Sequence, residues 1–318
     1  MSKFKFFEDE ADYQPIAPVQ TVKPQIAINA KTESLANLPE EKARYRVEQM
    51  TMTRLNGIVQ SHAETRREFL VTRKGTGNSL WVNVTLVENI INVYPEAFKD
   101  AIAMVSDVDL VKSDVQAQVN MQTGKILHIL NHQEIIEKWK KHKAAVLDKY
   151  SFLRDPETKN NLLKFLTVCE SIIVNEKNLI EDLNTKLFYD LFFDKHLVAN
   201  NNAFEPYSRP FYSQLFEGET STLDFTQQIT GETADSVSLS KTGKLKPGSY
   251  NSAEIEKQYD QKYKPVVQYR FSEYDVKITE QTLLDTAGKW IETSDVNITE
   301  AVKNNVEILI DYKLRKIE

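Results

Sequence analysis

Two stretches of alternating apolar and polar positions, separated by a stretch with helical spacing, organise the chain. In the first, Leu80, Val82, Val84 and Leu86 alternate with Trp81, Asn83, Thr85 and Val87, and residues 65–74 precede them across Gly75-Thr76-Gly77-Asn78. Period-two spacing on both sides of a glycine-bearing turn predicts a β-hairpin over residues 65–74 and 80–93. A short helix is expected from Pro95, burying Phe98, Ile102 and Val105, because proline suits a first turn whose amides lack partners. Strands resume where Val115, Ala117, Val119 and Met121 alternate up to Gln122-Thr123-Gly124-Lys125, and residues 126–130 run back. Gly124 supplies the left-handed backbone that closes a short corner.

Helical spacing follows. Asn131 with Glu134 makes a cap, and Ile136, Trp139, Val146 and Tyr150 form one stripe. Asp155-Pro156 starts a second helix, in which Cys169 shares a face with Leu162, Phe165, Leu166, Ile172 and Ile173 and should point into the core. A third helix is expected over residues 175–198, with Leu179, Ile180, Leu183, Leu187 and Leu191 on one side and Phe188 and Phe192 widening the face. That width exceeds what one partner helix covers, so either a sheet packs there too or part of it meets another molecule.

Phe204-Glu205-Pro206-Tyr207-Ser208-Arg209-Pro210-Phe211-Tyr212 reads as a proline-broken aromatic loop, serving as a lid on the core or as a surface for a partner. The second alternating block begins near Thr220 with Leu223, Phe225, Gln227 and Ile229. Thr230-Gly231 and Thr242-Gly243-Lys244 read as turns, and residues 252–263 as a charged helix ended by Pro265. Val267, Tyr269 and Phe271 then give way to Tyr274, Val276 and Ile278, a change of phase near Ser272 that suggests a bulge or a strand buried on both faces. Residues 285–290 form another turn, Lys303-Asn304-Asn305 a further one, and Val306, Ile308, Ile310, Tyr312 and Leu314 a closing strand.

The expectation is an α+β fold with two antiparallel strand-rich blocks, residues 41–131 and 219–318, flanking a central three-helix block over residues 132–198. The aromatic loop spans residues 199–218, and residues 1–40, which carry Pro15, Pro18, Pro24 and Pro39, read as an extended or disordered leader. Each strand-rich block has a short helix and an x-Gly-Lys-apolar corner, which is compatible with a diverged internal duplication.

Composition narrows the function classes. With 318 residues, 41% hydrophobic and 27% charged, the chain can bury a large core. A net charge of -6 argues against duplex nucleic acid, whose binders need a basic face; the lysines of residues 138–143 read as a solvated helix face. The single cysteine allows no intrachain disulfide and no cysteine cluster for metal. The opening residues lack an apolar signal core and no apolar run is long enough to span a bilayer, so a soluble, cytoplasmic protein is expected. The Asn, Lys and Ile content has a bacterial flavour.

Candidate chemistry is sparse. A phosphate loop needs Ser or Thr after its Gly-Lys, and here Ile126, Leu245 and Trp290 follow instead. His128, His132 and Glu134 are the best metal or acid/base candidates, although a structural role fits each. No catalytic residue, metal ligand or cofactor is assigned. The reading favoured is a non-enzymatic interaction protein, an adaptor or assembly subunit that meets a protein partner or its own copy through Phe188, Phe192, Phe193, Phe204, Tyr207, Phe211 and Tyr212. The alternatives are a carrier of an apolar small molecule, enclosed between sheets and helices, and a hydrolase with an unrecognised site.

Overall fold

Alternating stretches give the larger share of the regular structure among the described residues. The computed structural model describes residues 40–76, 79–152, 154–198 and 205–318. The expected leader, apart from Glu40, lies outside the described residues. The first block gives β1 (Glu40–Leu55), β2 (Ile58–Thr76), β3 (Ser79–Tyr94), α1 (Lys99–Val111), β4 (Val115–Val119) and β5 (Ile126–Ile129). Four helices follow: α2 (His132–Lys149), α3 (Pro156–Val174), α4 (Glu176–Thr185) and α5 (Leu187–Phe192). The second block contains β6 (Tyr207–Tyr212), β7 (Thr220–Glu232), β8 (Ser236–Leu245), α6 (Ser252–Lys262), α7 (Lys264–Val267), β9 (Tyr274–Asp285), β10 (Ile291–Val302) and β11 (Val306–Lys316).

The two blocks are one antiparallel sheet. Its order is β5-β4-β3-β2-β1-β11-β10-β9-β8-β7-β6, so every strand lies beside a sequence neighbour except where β1 pairs with β11, as in Val47 opposite Leu314 and Thr51 opposite Ile310. Laid flat, eleven strands would hold the two edges apart by ten spacings of about 4.8 Å, roughly 48 Å. Yet Asp190 of α5 accepts from Lys125, in the corner beside edge strand β5, at 3.3 Å and from Arg209 of edge strand β6 at 2.7 Å. The sheet is therefore rolled until both edges meet the same helix.

The inside of the roll is mainly apolar and the outside charged. Tyr45, Phe69, Val84, Val276, Val296 and Leu314 are buried on the inner face. The alternate positions carry ladders such as Arg44 and Arg46 on Glu68, at 2.5 and 2.8 Å. Helix α5 presses its rings onto that inner face: Phe188 stacks on Phe69 at 4.0 Å, and Phe192 meets Tyr45 and Trp290 at 5.9 and 6.1 Å. Burying rings of this size contributes about 1.5–3 kcal/mol each.

Several expectations need correction. The third helix is not continuous: Lys186 is extended (φ -81, ψ 125) and separates α4 from α5, turning Phe188 and Phe192 toward the sheet. Gly243 is not a turn but lies within β8, where a Cβ would collide with the Phe225 ring. The aromatic loop contains β6, with Pro210 tolerated because an edge strand has one side free of ladder bonds. Strand β7 runs on through Thr230-Gly231. The phase change near Ser272 is no bulge, since α7 ends at Val267 and β9 starts at Tyr274. Helix α1 forms, but Val105 is exposed and Ser106, Val108 and Val111 are the buried positions. Asn56-Gly57, with φ 50 and 76, forms the β1–β2 corner, an Asn-Gly hairpin signal that the sequence reading passed over.

Candidate functional site

Rolling the sheet around a six-residue helix leaves space that α5 does not fill. A cavity of about 1730 Å³ runs along the inner face of the sheet. Its floor includes Val47 of β1, Ile278 of β9, Ile298 of β10, and Ile310 and Tyr312 of β11. Leu187, Phe188 and Tyr189 of α5 form one wall and Phe211 of β6 another, while the C-terminal end of α1 and the β4–β5 corner approach from the far side. These floor residues are inward for the reason given above: they occupy the core phase of long alternating strands.

At one end lies a network of buried charges. Lys241 of β8 reaches Glu280 of β9 at 3.0 Å and Asp194 at 3.4 Å, and Asp194 in turn lies 3.9 Å from Lys125. Burial alone would raise the Asp190 carboxyl, but Arg209, Lys125 and Lys241 outweigh it and hold it down at about 2. Asp194 is lowered in the same way, with burial opposed by Lys125 and Lys241. Burial also opposes the charge on Lys241, yet Glu280 and Asp194 push its pKa up. His196, beside this network, is driven down to about 4 because burial disfavours the imidazolium more than Asp194 favours it. With each charge matched, the network joins α5 and the following turn to both sides of the roll.

The residues expected to face a partner divide into two groups. Phe188, Phe192 and Phe193 are 4%, 0% and 0% exposed and belong to the interior, so they present no surface. Tyr207 and Tyr212 are exposed on β6 and Phe211 is half-buried there at the cavity wall. Phe204 lies outside the described residues. Cys169 is buried on α3 as expected, and burial pushes its thiol up to about 11.

His128 and His132 engage different groups. His132 Nε2 is 2.8 Å from the Ile173 carbonyl, whereas His128 Nδ1 is 3.5 Å from Glu176, whose carboxylate also accepts from the Ile129 amide at 2.7 Å. Among the described residues, no group of three His, Cys, Asp or Glu is placed to hold a metal ion. Nor, among them, is any helix long and apolar enough to cross a membrane.

The sequence reading missed the polar residues of this site. Lys241 shares its phase with Val237 and Leu239, Glu280 with Val276 and Ile278, and Arg67 with Phe69 and Val71. A charge in the core phase of a strand is the signal that could have found them. Compared with known proteins, the chain matches no family model and is similar to none of the curated proteins.

Proposed function

We propose that this protein binds an apolar or amphiphilic small molecule inside the rolled sheet. The observation that carries the reading is the cavity of about 1730 Å³ with its apolar floor of Val47, Ile278, Ile298 and Ile310. It is larger than the roughly 300–1,000 Å³ typical of sites for compact ligands, and so has room for an extended chain or for more than one. Native mass spectrometry of the purified protein should find a co-purified apolar molecule. After its removal, a fluorescent fatty-chain probe should bind to the wild type. Ile298→Trp, which fills the floor, should weaken the probe by at least about tenfold without lowering the thermal midpoint. A stripped wild type that takes up no such probe would sink the reading.

A second reading, a protein partner or second copy docked on β6, is supported by that strand's place at the sheet edge and by Tyr212, which is 63% exposed. It accords with a cytoplasmic, non-enzymatic subunit of a larger assembly. Tyr212→Asp should then dissociate the complex on size exclusion while leaving the thermal midpoint in place.

A further inference from the structure

Arg67 extends from β2 into the cavity, with Val47 opposite it on β1 and Asn89 opposite it on β3. Its Nε donates to Asn89 Oδ1 at 3.0 Å, and among the described residues no carboxylate reaches it. The other strand arginines among those residues are each paired with an acid. Arg44 and Arg46 share Glu68; Arg54 meets Glu307, Arg66 Glu88, Arg73 Glu41, Arg209 Asp190 and Arg315 Asp295. Acids do line the same cavity, but Asp109 and Asp182 are taken by Lys112 and Lys186, and Asp190 and Asp194 by the network described above. Glu181 pairs with Lys177, and Glu205 lies exposed at the rim.

Tyr312 supplies a second donor. It sits opposite Gln49, two residues along β1 from Val47, and is 2% exposed, yet its hydroxyl bonds to nothing among the described residues. Arg67 is near enough for its charge to work against the burial that raises the phenol. The Tyr312 hydroxyl is a buried donor without an acceptor among the described residues, which costs about 1–3 kcal/mol, and the half-buried Arg67 guanidinium brings a charge that no carboxylate among them offsets. An anionic oxygen would satisfy both by charge-assisted hydrogen bonds.

We propose that the cavity takes an anionic amphiphile, its carboxylate or phosphate head held by Arg67 and Tyr312 and its aliphatic chain laid along Ile278, Ile298 and Ile310. This rests on the cavity reading above and narrows it to one charge class. The occupant meets its hydrophobic contacts on the sheet, where a neutral analogue would meet them equally well. Only the head distinguishes the two.

The test is displacement of a bound fluorescent probe from the stripped full chain by dodecanoate, dodecyl phosphate and dodecanol. Either anion should compete at least about tenfold better than the alcohol, the difference expected for a hydrogen bond to a charged group. Arg67→Gln should abolish that advantage, Arg67→Lys should restore part of it, and Tyr312→Phe should weaken the anions by a few fold. Arg67→Gln breaks no ion pair, so its thermal midpoint should match the wild type. Which anion competes better separates a carboxylate head from a phosphate head. Equal displacement by acid and alcohol, or an advantage that survives Arg67→Gln, would overturn this proposal and leave the cavity reading standing. If none of the three competes while the probe binds, this proposal falls. Failure of the probe itself to bind overturns both.

Discussion

His196 is buried beside Asp194, Lys241, Lys125 and Arg73, with its Nε2 unpartnered among the described residues. Its pKa is about 4 in the folded protein, against an ordinary 6.5. Between these values the unfolded chain takes up a proton that the folded one refuses, so stability falls as pH drops from 6.5 to 4. The full loss is roughly 3 kcal/mol. Asp190 acts at lower pH: its carboxyl is held at about 2 rather than 3.8, so the stability it adds is present above pH 3.8 and is lost as pH falls through about 2. Urea titrations from pH 7 to 4 should show a decline that His196→Leu flattens; an identical slope in that variant would exclude His196 as the source. Asp190→Asn should cost about 3 kcal/mol at pH 7, because it leaves Arg209 and Lys125 with a neutral partner in a buried setting. Equilibrium unfolding measures this directly.

At the scale of elements, the corner between β4 and β5 does more than reverse the chain. Gly124 has φ +74, and a Cβ there would collide with the Asp194 carbonyl, so the corner lies flush against the segment that follows α5. Gly124→Ala should therefore cost about 2 kcal/mol or more, as strain from the backbone adds to displacement of Lys125 from Asp190. A thermal midpoint equal to that of the wild type would show that the contact is dispensable. This corner was legible from Gln122-Thr123-Gly124-Lys125, as were the β3 alternation, the α3 start at Asp155-Pro156 and the burial of Cys169. The breaks at Lys186 and the strand at Tyr207–Tyr212 were not, because tertiary contacts decided them. Lys186 gives way so that Phe188 can reach Phe69, and β6 exists only because β7 offers a ladder. Gly243 misled for a related reason: its glycine serves the Phe225 ring across the sheet rather than a turn.

At the scale of the molecule, the rolled sheet joins its two halves through β1 and β11, a pairing that leaves no local trace in the sequence. The cavity was foreseen only as an alternative, since a void depends on how far the sheet curls, and that extent shows only in long-range contacts such as Asp190 meeting both edges. Arg67 could have been noticed by phase, but its lack of an acid could not, because partners across strands require the register. Pairing of β1 with β11 also sets a schedule for synthesis. Strands β1 to β5 emerge from the ribosome first, with the inner edge of β1 lacking its neighbour until residues 306–316 have been made. For most of translation the nascent chain carries an open strand edge and an uncovered apolar face, the combination that holding chaperones bind. Slowing elongation over β6 to β10 should lengthen that period and increase aggregation, and an unchanged yield of soluble protein would exclude the open edge as its cause.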